Sequence, residues 1–206
     1  MTKVIIAIAF FVTSLVSAQT QFEQGMGKAF GLWKEGKSTE ASDLFERIAS
    51  AEKTSWLPNY YVALINTTEA FNPANKEKIS VLLDKANVAL EVELVKYPKN
   101  AELLVVQAMA KTALLASNPM TYGMTLSPKI TQIYTLANLL APENPRVVFC
   151  KAEFGIGGAK WSGADVKQLC GEVEKSIGLF ATFKPETPFS PKWGLERATE
   201  ALKNCK

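Results

Sequence analysis

Three prolines recur along the chain at nearly constant intervals. Pro98, Pro142 and Pro185 are separated by 44 and 43 residues, and each follows a long segment of helical apolar periodicity. A repeat of this length is typical of a solenoid built from pairs of helices. Because a proline ring disfavours helical geometry in the residue before it, each proline should stand just after the end of a helix. The spacing therefore predicts an all-α chain of repeated helical units.

Apolar residues occupy matching positions in the three units that end at these prolines. The positions 16, 12 and 8 residues before each proline are apolar in every unit. They are Leu82, Leu126 and Leu169, then Ala86, Ile130 and Val173, then Leu90, Tyr134 and Ile177. A spacing of four residues places them on one face of an α-helix, whereas a strand would need strict alternation. Each unit is therefore expected to contain one long helix with a buried face.

Residues 19–206 are expected to form a single domain of four helical hairpins closed by a capping helix. The predicted hairpins pair Phe22 to Lys34 with Ser38 to Lys53, Trp56 to Phe71 with Lys76 to Tyr97, Ala101 to Ser117 with Ser127 to Ala141, and Arg146 to Phe154 with Ala164 to Phe183. The final helix should begin at Ser190 and Pro191, because serine caps helices well and proline is favoured at the first helical position. It should run to about Asn204 and seal the end of the stack.

The first 18 residues have the composition of a secretory signal peptide. Lys3 precedes an uncharged run from Val4 to Val16, and small residues stand before an expected cleavage site after Ala18. The run has 13 residues, which is short of the about 20 that a membrane-spanning helix needs. No later segment is long and apolar enough to cross a membrane. The mature protein is therefore expected in the periplasm or outside the cell.

Charge and composition argue against nucleic-acid binding and catalysis. Without Lys3 the chain has 22 basic and 20 acidic residues, and no cluster of Lys and Arg is interleaved with aromatic residues. Nucleic-acid-binding proteins instead carry strongly basic surfaces. The chain also contains no histidine, which removes the commonest general base and the usual partner of a catalytic Ser or Cys. We therefore expect no enzymatic activity, no cofactor and no nucleic-acid partner.

Three cysteines remain in a chain that is predicted to be exported, and disulfides form readily outside the cytoplasm. Cys170 and Cys205 lie 17 and 18 residues from a predicted bend near Thr187, so an antiparallel helix pair would bring them to similar heights. Cys150 and Cys170 are nearly symmetric about their own loop and form the alternative pair. We favour a Cys170–Cys205 disulfide, because it would tie down a terminal helix. A metal site such as zinc is not expected without histidine or closely spaced cysteines.

Two hairpins resemble tetratricopeptide repeats in the spacing of their small and aromatic residues. The matching positions are Gly36, Ala41, Phe45 and Ile48 in the first hairpin and Tyr134, Ala137 and Pro142 in the third. The Trp-Leu-Gly-Tyr signature of that family is absent, and the repeats are nearer 44 residues than about 34. The chain therefore resembles a divergent tetratricopeptide-like α-solenoid. The resemblance implies a right-handed stack whose first helices form a concave binding surface.

The resemblance also implies which side chains would contact a partner. The predicted concave strip consists of Met26, Phe30, Trp33, Tyr60, Leu64, Met109, Phe149 and Glu153. In proteins of this kind the strip would hold a protein or peptide with an apolar segment. The alternative is that these side chains simply pack the inside of a short, tightly wound stack.

A second candidate surface lies along the turns within the hairpins. Residues 118–124 and 155–163 are rich in glycine, proline and polar residues, and they are predicted as long loops. In a solenoid such loops emerge along one edge. Tyr122 and Trp161 would then project from that edge and could share a partner.

Two functions are consistent with these features. The first is an exported interaction scaffold in the cell envelope, which binds an apolar segment of a protein through the concave strip and has no catalytic activity. The alternative is a carrier in which the strip closes into a helical pocket for a small apolar or lipid-like ligand. An open groove would favour the scaffold, and an enclosed cavity would favour the carrier.

Overall fold

The structure, a computed structural model, describes residues 20–205. The predicted signal peptide, residues 1–18, lies outside the described residues. Within residues 20–205 the chain is all-helical and forms no strand, which confirms the predicted stack of helical hairpins with a closing helix. The helices are α1 (residues 20–34), α2 (Ser38–Ala51), α3 (Leu57–Ala70), α4 (Ile79–Lys96), α5 (Ala101–Ser117), α6 (Pro119–Leu140), α7 (Pro145–Ser162), α8 (Val166–Thr182) and α9 (Leu195–Lys203). A short 3-10 helix, Pro73–Lys78, leads into α4.

Asparagine side chains cap the N-terminus of the first helix in hairpins three and four. Asn100 before α5 and Asn144 before α7 each accept two hydrogen bonds from backbone N–H groups of the first helical turn. Pro98 and Pro142 stand two residues before these caps, so each Pro-x-Asn segment ends one helix and begins the next. The third unit has Thr187 in place of asparagine, and no helix begins there.

The first helices of hairpins two to four lie side by side in parallel. Tyr60 near the start of α3 and Arg146 near the start of α7 both donate hydrogen bonds to Glu102 near the start of α5. The N-terminal ends of these helices therefore share one edge of the stack, and their C-terminal ends share the other. We call the second edge the turn edge, because the turns within the hairpins lie there. We call the face formed by α1, α3, α5 and α7 the inner face.

Small residues let the helices of the inner face approach closely. Ala63, Ala108 and Ala152 are buried at equivalent places in α3, α5 and α7. Helix α3 is buried around most of its circumference, because α2, α4 and α5 all pack against it. The main core runs from Met26 in α1 to Ala198 in α9 without interruption. The hairpins therefore form one packed unit.

The segment 118–124, predicted as a loop, is helical. Helix α6 begins at Pro119 directly after Asn118, whose side-chain oxygen accepts a hydrogen bond from the Thr121 N–H. Asparagine as a cap followed by proline in the first turn is a helix start, although the same dipeptide also occurs in turns. The loop prediction is wrong here, and Tyr122 lies in the first turn of α6.

The glycine-rich segment 155–163, also predicted as a loop, continues helix α7 as far as Ser162. Only Gly163, with φ of 69°, has the left-handed backbone that ends a helix. A Cβ atom at Gly155 would lie 3.0 Å from the Leu169 side chain, so this glycine lets α8 pack closely against α7. The loop prediction is wrong because glycine serves helix packing here, and Trp161 lies in the last turn of α7.

The closing helix begins later than predicted. Helix α9 starts at Leu195, after Gly194 with φ of 115°. The Ser190 hydroxyl accepts a hydrogen bond from the Thr187 N–H and so closes a local turn instead of capping a helix. The predicted start at Ser190 and Pro191 is therefore wrong. Residues 183–194 form an irregular segment between α8 and α9, which we call the C-terminal strap.

A disulfide joins Cys170 in α8 to Cys205 just after α9. Their Cα atoms are 5.8 Å apart, and they are the pair that the helix register favours. Cys150 is a buried free thiol in α7. Burial raises the pKa of the Cys150 thiol, so it stays protonated and weakly reactive near neutral pH.

Candidate functional site

The C-terminal strap crosses the inner face from the last hairpin to the first. The ring of Phe189 stacks on Phe30 of α1 with centroids 6.1 Å apart and meets Phe22 edge-on at 5.9 Å. The Tyr61 hydroxyl of α3 donates a hydrogen bond of 2.7 Å to the Phe189 carbonyl. The strap therefore covers the surface on which the sequence predicts a concave binding strip.

A buried polar network holds the two ends of the strap. Trp193 Nε1 donates to Tyr60 Oη at 2.7 Å, and the Tyr60 hydroxyl donates to the Glu102 carboxylate at 3.4 Å. Burial raises the pKa of Tyr60 well above its ordinary value, so the hydroxyl keeps the proton that it donates. At the other end, the Phe183 ring centroid lies 4.4 Å from the guanidinium carbon of Arg146. The strap is thus attached to both α3 and α7.

Glu102 and Arg146 form the ion pair at the centre of this network. Arg146 is fully buried, and its Nε and Nη2 atoms donate to the Glu102 carboxylate over 2.7–2.9 Å. Asn144 Nδ2 donates to the same carboxylate at 2.6 Å. Burial alone would lower the pKa of Arg146, but the hydrogen bonds and charge of Glu102 raise it. The guanidinium stays charged and fixes α5 and α7 relative to the strap.

A cavity of about 320 Å³ lies between the strap and helices α1 and α3. Its lining is mainly aromatic, and Ser190 and Lys192 add polar groups. The lining residues are Phe30, Trp33, Tyr61, Pro188, Ser190, Lys192 and Trp193. The volume is at the lower end of the range for ligand pockets. Flat aromatic side chains beside one cation suit a flat apolar ligand that carries an anionic group.

Most of the predicted concave strip is buried. Five of its residues are at most 3% exposed, namely Met26, Tyr60, Leu64, Met109 and Phe149. A sixth, Glu153, forms an ion pair with Arg197 of α9. These residues do not form an open groove, because the strap and α9 lie over the inner face. Phe30 and Trp33 are the two residues of the strip that line the cavity.

Five residues of the cavity were not selected from the sequence, namely Tyr61, Pro188, Ser190, Lys192 and Trp193. Tyr61 is adjacent to Tyr60 and lies off the repeat register, while Lys192 and Trp193 fall where a capping helix is expected. The usable signal is Thr187, the second residue after the third proline. Because Thr187 replaces the capping asparagine, the chain after it is free to leave the helical pattern and cross the inner face.

Tyr122 and Trp161 both lie near the turn edge, away from the cavity. Tyr122 is half-buried and Trp161 is exposed. The Lys160 ammonium lies 4.8 Å from the centroid of the Trp161 ring. The two aromatic residues therefore occupy the predicted edge, although helices and not loops carry them.

A second cavity, of about 430 Å³, lies between α2 and α4. Charged residues line much of it, and Lys85 at its side already binds Asp43 and Glu46 at 2.7 and 3.1 Å. The charged part of its lining makes it a weaker candidate for an apolar ligand.

Acidic residues, cysteines and histidines form no group that could hold a metal ion anywhere in residues 20–205. Within the same residues, no helix is long and apolar enough to cross a membrane. The candidate site is therefore the aromatic cavity under the strap.

Comparison with known proteins shows that this chain is similar in fold to a solved structure. No protein-family model and no curated protein sequence matches the chain. A solved structure, the HusA haemophore from Porphyromonas gingivalis, matches with a TM-score of 0.79 and 24% sequence identity, over 89% of this chain and 92% of that one. The two proteins share an all-helical fold, and at this level of identity the likeness concerns the fold alone.

Proposed function

We propose that this protein is an extracytoplasmic carrier that binds a flat, apolar molecule of the porphyrin class in the cavity under the C-terminal strap. The observation that carries the proposal is the cavity, in which Phe30, Trp33, Tyr61 and Trp193 provide aromatic surface and Lys192 provides a cation. The likeness in fold to a haemophore supports the same class of ligand. The Cys170–Cys205 disulfide suits an oxidising compartment.

The residues of the cavity favour recognition of the porphyrin ring over recognition of its iron. Protein ligands of haem iron are usually His, Cys, Met or Tyr, and this chain has no histidine. Tyr61 lines the cavity, but its hydroxyl donates to the Phe189 carbonyl and burial raises its pKa, which disfavours the phenolate. Stacking on Trp33 and Trp193, with a carboxylate near Lys192, would supply the affinity. We therefore expect iron-free porphyrin to bind about as tightly as haem.

A protein-binding scaffold is the second candidate function. It needs an open inner face, and the strap occupies that face through the contacts of Phe189 and Trp193. A peptide could bind there only after the strap had left its hydrogen bonds and aromatic neighbours. The carrier function uses a cavity that already exists beside the strap, and for that reason we prefer it.

Absorbance titration with haem and with iron-free protoporphyrin tests the proposal. Both ligands should show saturable shifts of the Soret band with one equivalent of protein, and their dissociation constants should agree within about threefold. Replacing Trp33 by alanine should weaken both by about tenfold, because aromatic stacking and buried apolar area are lost. Lys192→Glu should weaken both as well, by repelling the carboxylates.

Trp161→Ala is the matched control, since it removes an indole that lies away from the cavity. It should leave both dissociation constants unchanged. The proposal fails if neither porphyrin binds saturably, or if the Trp33 and Trp161 variants bind equally well.

A further inference from the structure

The turn edge exposes large apolar side chains at hairpins three and four. Met120 and Met124 of α6 are 97% and 92% exposed, and Trp161 of α7 is 77% exposed. Val166, the first residue of α8, is exposed as well. Each lies within two helical turns of the helix ends that meet at this edge. Large exposed apolar side chains gathered at one edge of a fold are typical of an interaction site.

Lysines without acidic partners accompany these side chains. Lys160 lies over the Trp161 ring, Lys167 is in the first turn of α8, and neither forms an ion pair within residues 20–205. The nearby carboxylate of Asp165 caps α8 by accepting hydrogen bonds from the backbone N–H groups of Lys167 and Gln168. The sequence from 112 to 127 contains no acidic residue.

These residues combine apolar protrusions with a local excess of positive charge, since residues 158–168 contain two lysines and one aspartate. We call the set the tip surface, and it consists of Met120, Met124, Lys160, Trp161, Val166 and Lys167. Tryptophan favours the interface between lipid tails and headgroups, and lysine can lay its methylenes on apolar surface while its ammonium reaches a phosphate. Anionic lipids add an attraction for each lysine near the surface.

We propose that the tip surface docks this protein on an anionic phospholipid bilayer. The apolar groups stand near the ends of helices and line neither of the two cavities described above, which suits entry into a lipid surface better than binding of a peptide in a concave site. The flanking lysines match the charge of the headgroups. The proposal rests on the tip surface alone and is independent of the ligand in the cavity, although a carrier could use such docking to exchange an apolar ligand with a membrane.

Sedimentation with lipid vesicles tests the docking in the absence of any porphyrin. The protein should bind vesicles that contain phosphatidylglycerol, should bind phosphatidylcholine vesicles much more weakly, and should dissociate as salt is raised. The double variant Met124→Ser and Trp161→Ser should lower the partition coefficient at least about tenfold, since two side chains no longer transfer apolar surface. Lys160→Glu with Lys167→Glu should remove the preference for anionic vesicles.

Val95→Ser and Leu139→Ser provide matched controls, because these residues are comparably exposed but lie near the C-terminal ends of α4 and α6, at the opposite edge. They should bind vesicles like the unmodified protein. The proposal would be overturned if control and tip variants lost vesicle binding equally. It would also be overturned by equal binding to both kinds of vesicle or by no binding at all. The tip variants should bind porphyrin as the unmodified protein does. A failure of membrane docking can therefore be distinguished from a failure of the carrier proposal.

Discussion

Replacing Glu102 by glutamine is expected to destabilise the fold by about 3 kcal/mol. Arg146 is fully buried and directs its Nε and Nη2 atoms at the Glu102 carboxylate. Glutamine keeps the volume and one oxygen atom but removes the charge, so the guanidinium loses its counter-ion. Removing one partner of a buried ion pair costs about 3–5 kcal/mol, and the retained amide oxygen places this variant at the lower end. For a chain of this size the midpoint of thermal unfolding should fall by about 6–12 °C.

Urea unfolding followed by circular dichroism at 222 nm measures the loss, and two variants serve as controls. Glu200→Gln removes one partner of an exposed ion pair with Lys203 and should leave the stability nearly unchanged. The double variant Glu102→Leu and Arg146→Met removes both buried charges and should recover most of the loss. A loss below about 1 kcal/mol for Glu102→Gln, or a double variant less stable than the single one, would refute the reasoning.

Three further predictions concern the strap and the core. Replacing Cys170 and Cys205 by serine should lower the free energy of unfolding by about 3–4 kcal/mol, because the disulfide closes a loop of 35 residues. Urea unfolding that is unchanged by the substitutions would contradict this prediction. Trp193→Phe removes the indole hydrogen bond to Tyr60 and should lower the free energy of unfolding by about 1 kcal/mol. The same variant should bind porphyrin more weakly in the absorbance titration. Unchanged stability and affinity would argue against the strap contact. Burial raises the pKa of Tyr60, Tyr61 and Tyr134 above that of an exposed tyrosine, which is about 10. The stabilisation that follows from these raised pKa values is therefore complete below about pH 10. Above that pH the free energy of unfolding should fall by about 1.4 kcal/mol per pH unit for each tyrosine. Tyr134→Phe should reduce this slope by the same amount, and an unchanged slope would be inconsistent with the burial of Tyr134.

Short-range signals explain why most of the helical stack can be predicted from sequence. Pro98 and Pro142 end helices, and Asn100 and Asn144 begin the next ones within two residues. The columns of apolar residues at spacings of four identify the buried face of α4, α6 and α8 from local periodicity alone. These determinants act over a few residues, so an amino-acid sequence displays them directly.

The course of the strap depends on contacts between residues that are far apart in the chain. Trp193 meets Tyr60 across 133 positions, and Phe189 meets Phe30 across the inner face. Locally, Ser190 followed by Pro191 has the features of a helix start. In the fold, the Ser190 hydroxyl instead accepts a hydrogen bond from the Thr187 N–H and closes a turn. The candidate site is built from these long-range contacts, so the sequence identified Phe30 and Trp33 but not the strap residues that complete the cavity.

The indole N–H signals of the four tryptophans offer the most direct test of the central claim, that the cavity under the strap is the ligand site. Trp33 and Trp193 line this cavity, whereas Trp56 packs on Tyr60 and Trp161 lies at the turn edge. In a nitrogen–proton correlation spectrum recorded while iron-free protoporphyrin is added, the ring current of the ligand should shift the Trp33 and Trp193 signals and leave that of Trp161 in place. Shifts confined to Trp161, or four unmoved signals at saturating ligand, would contradict the account.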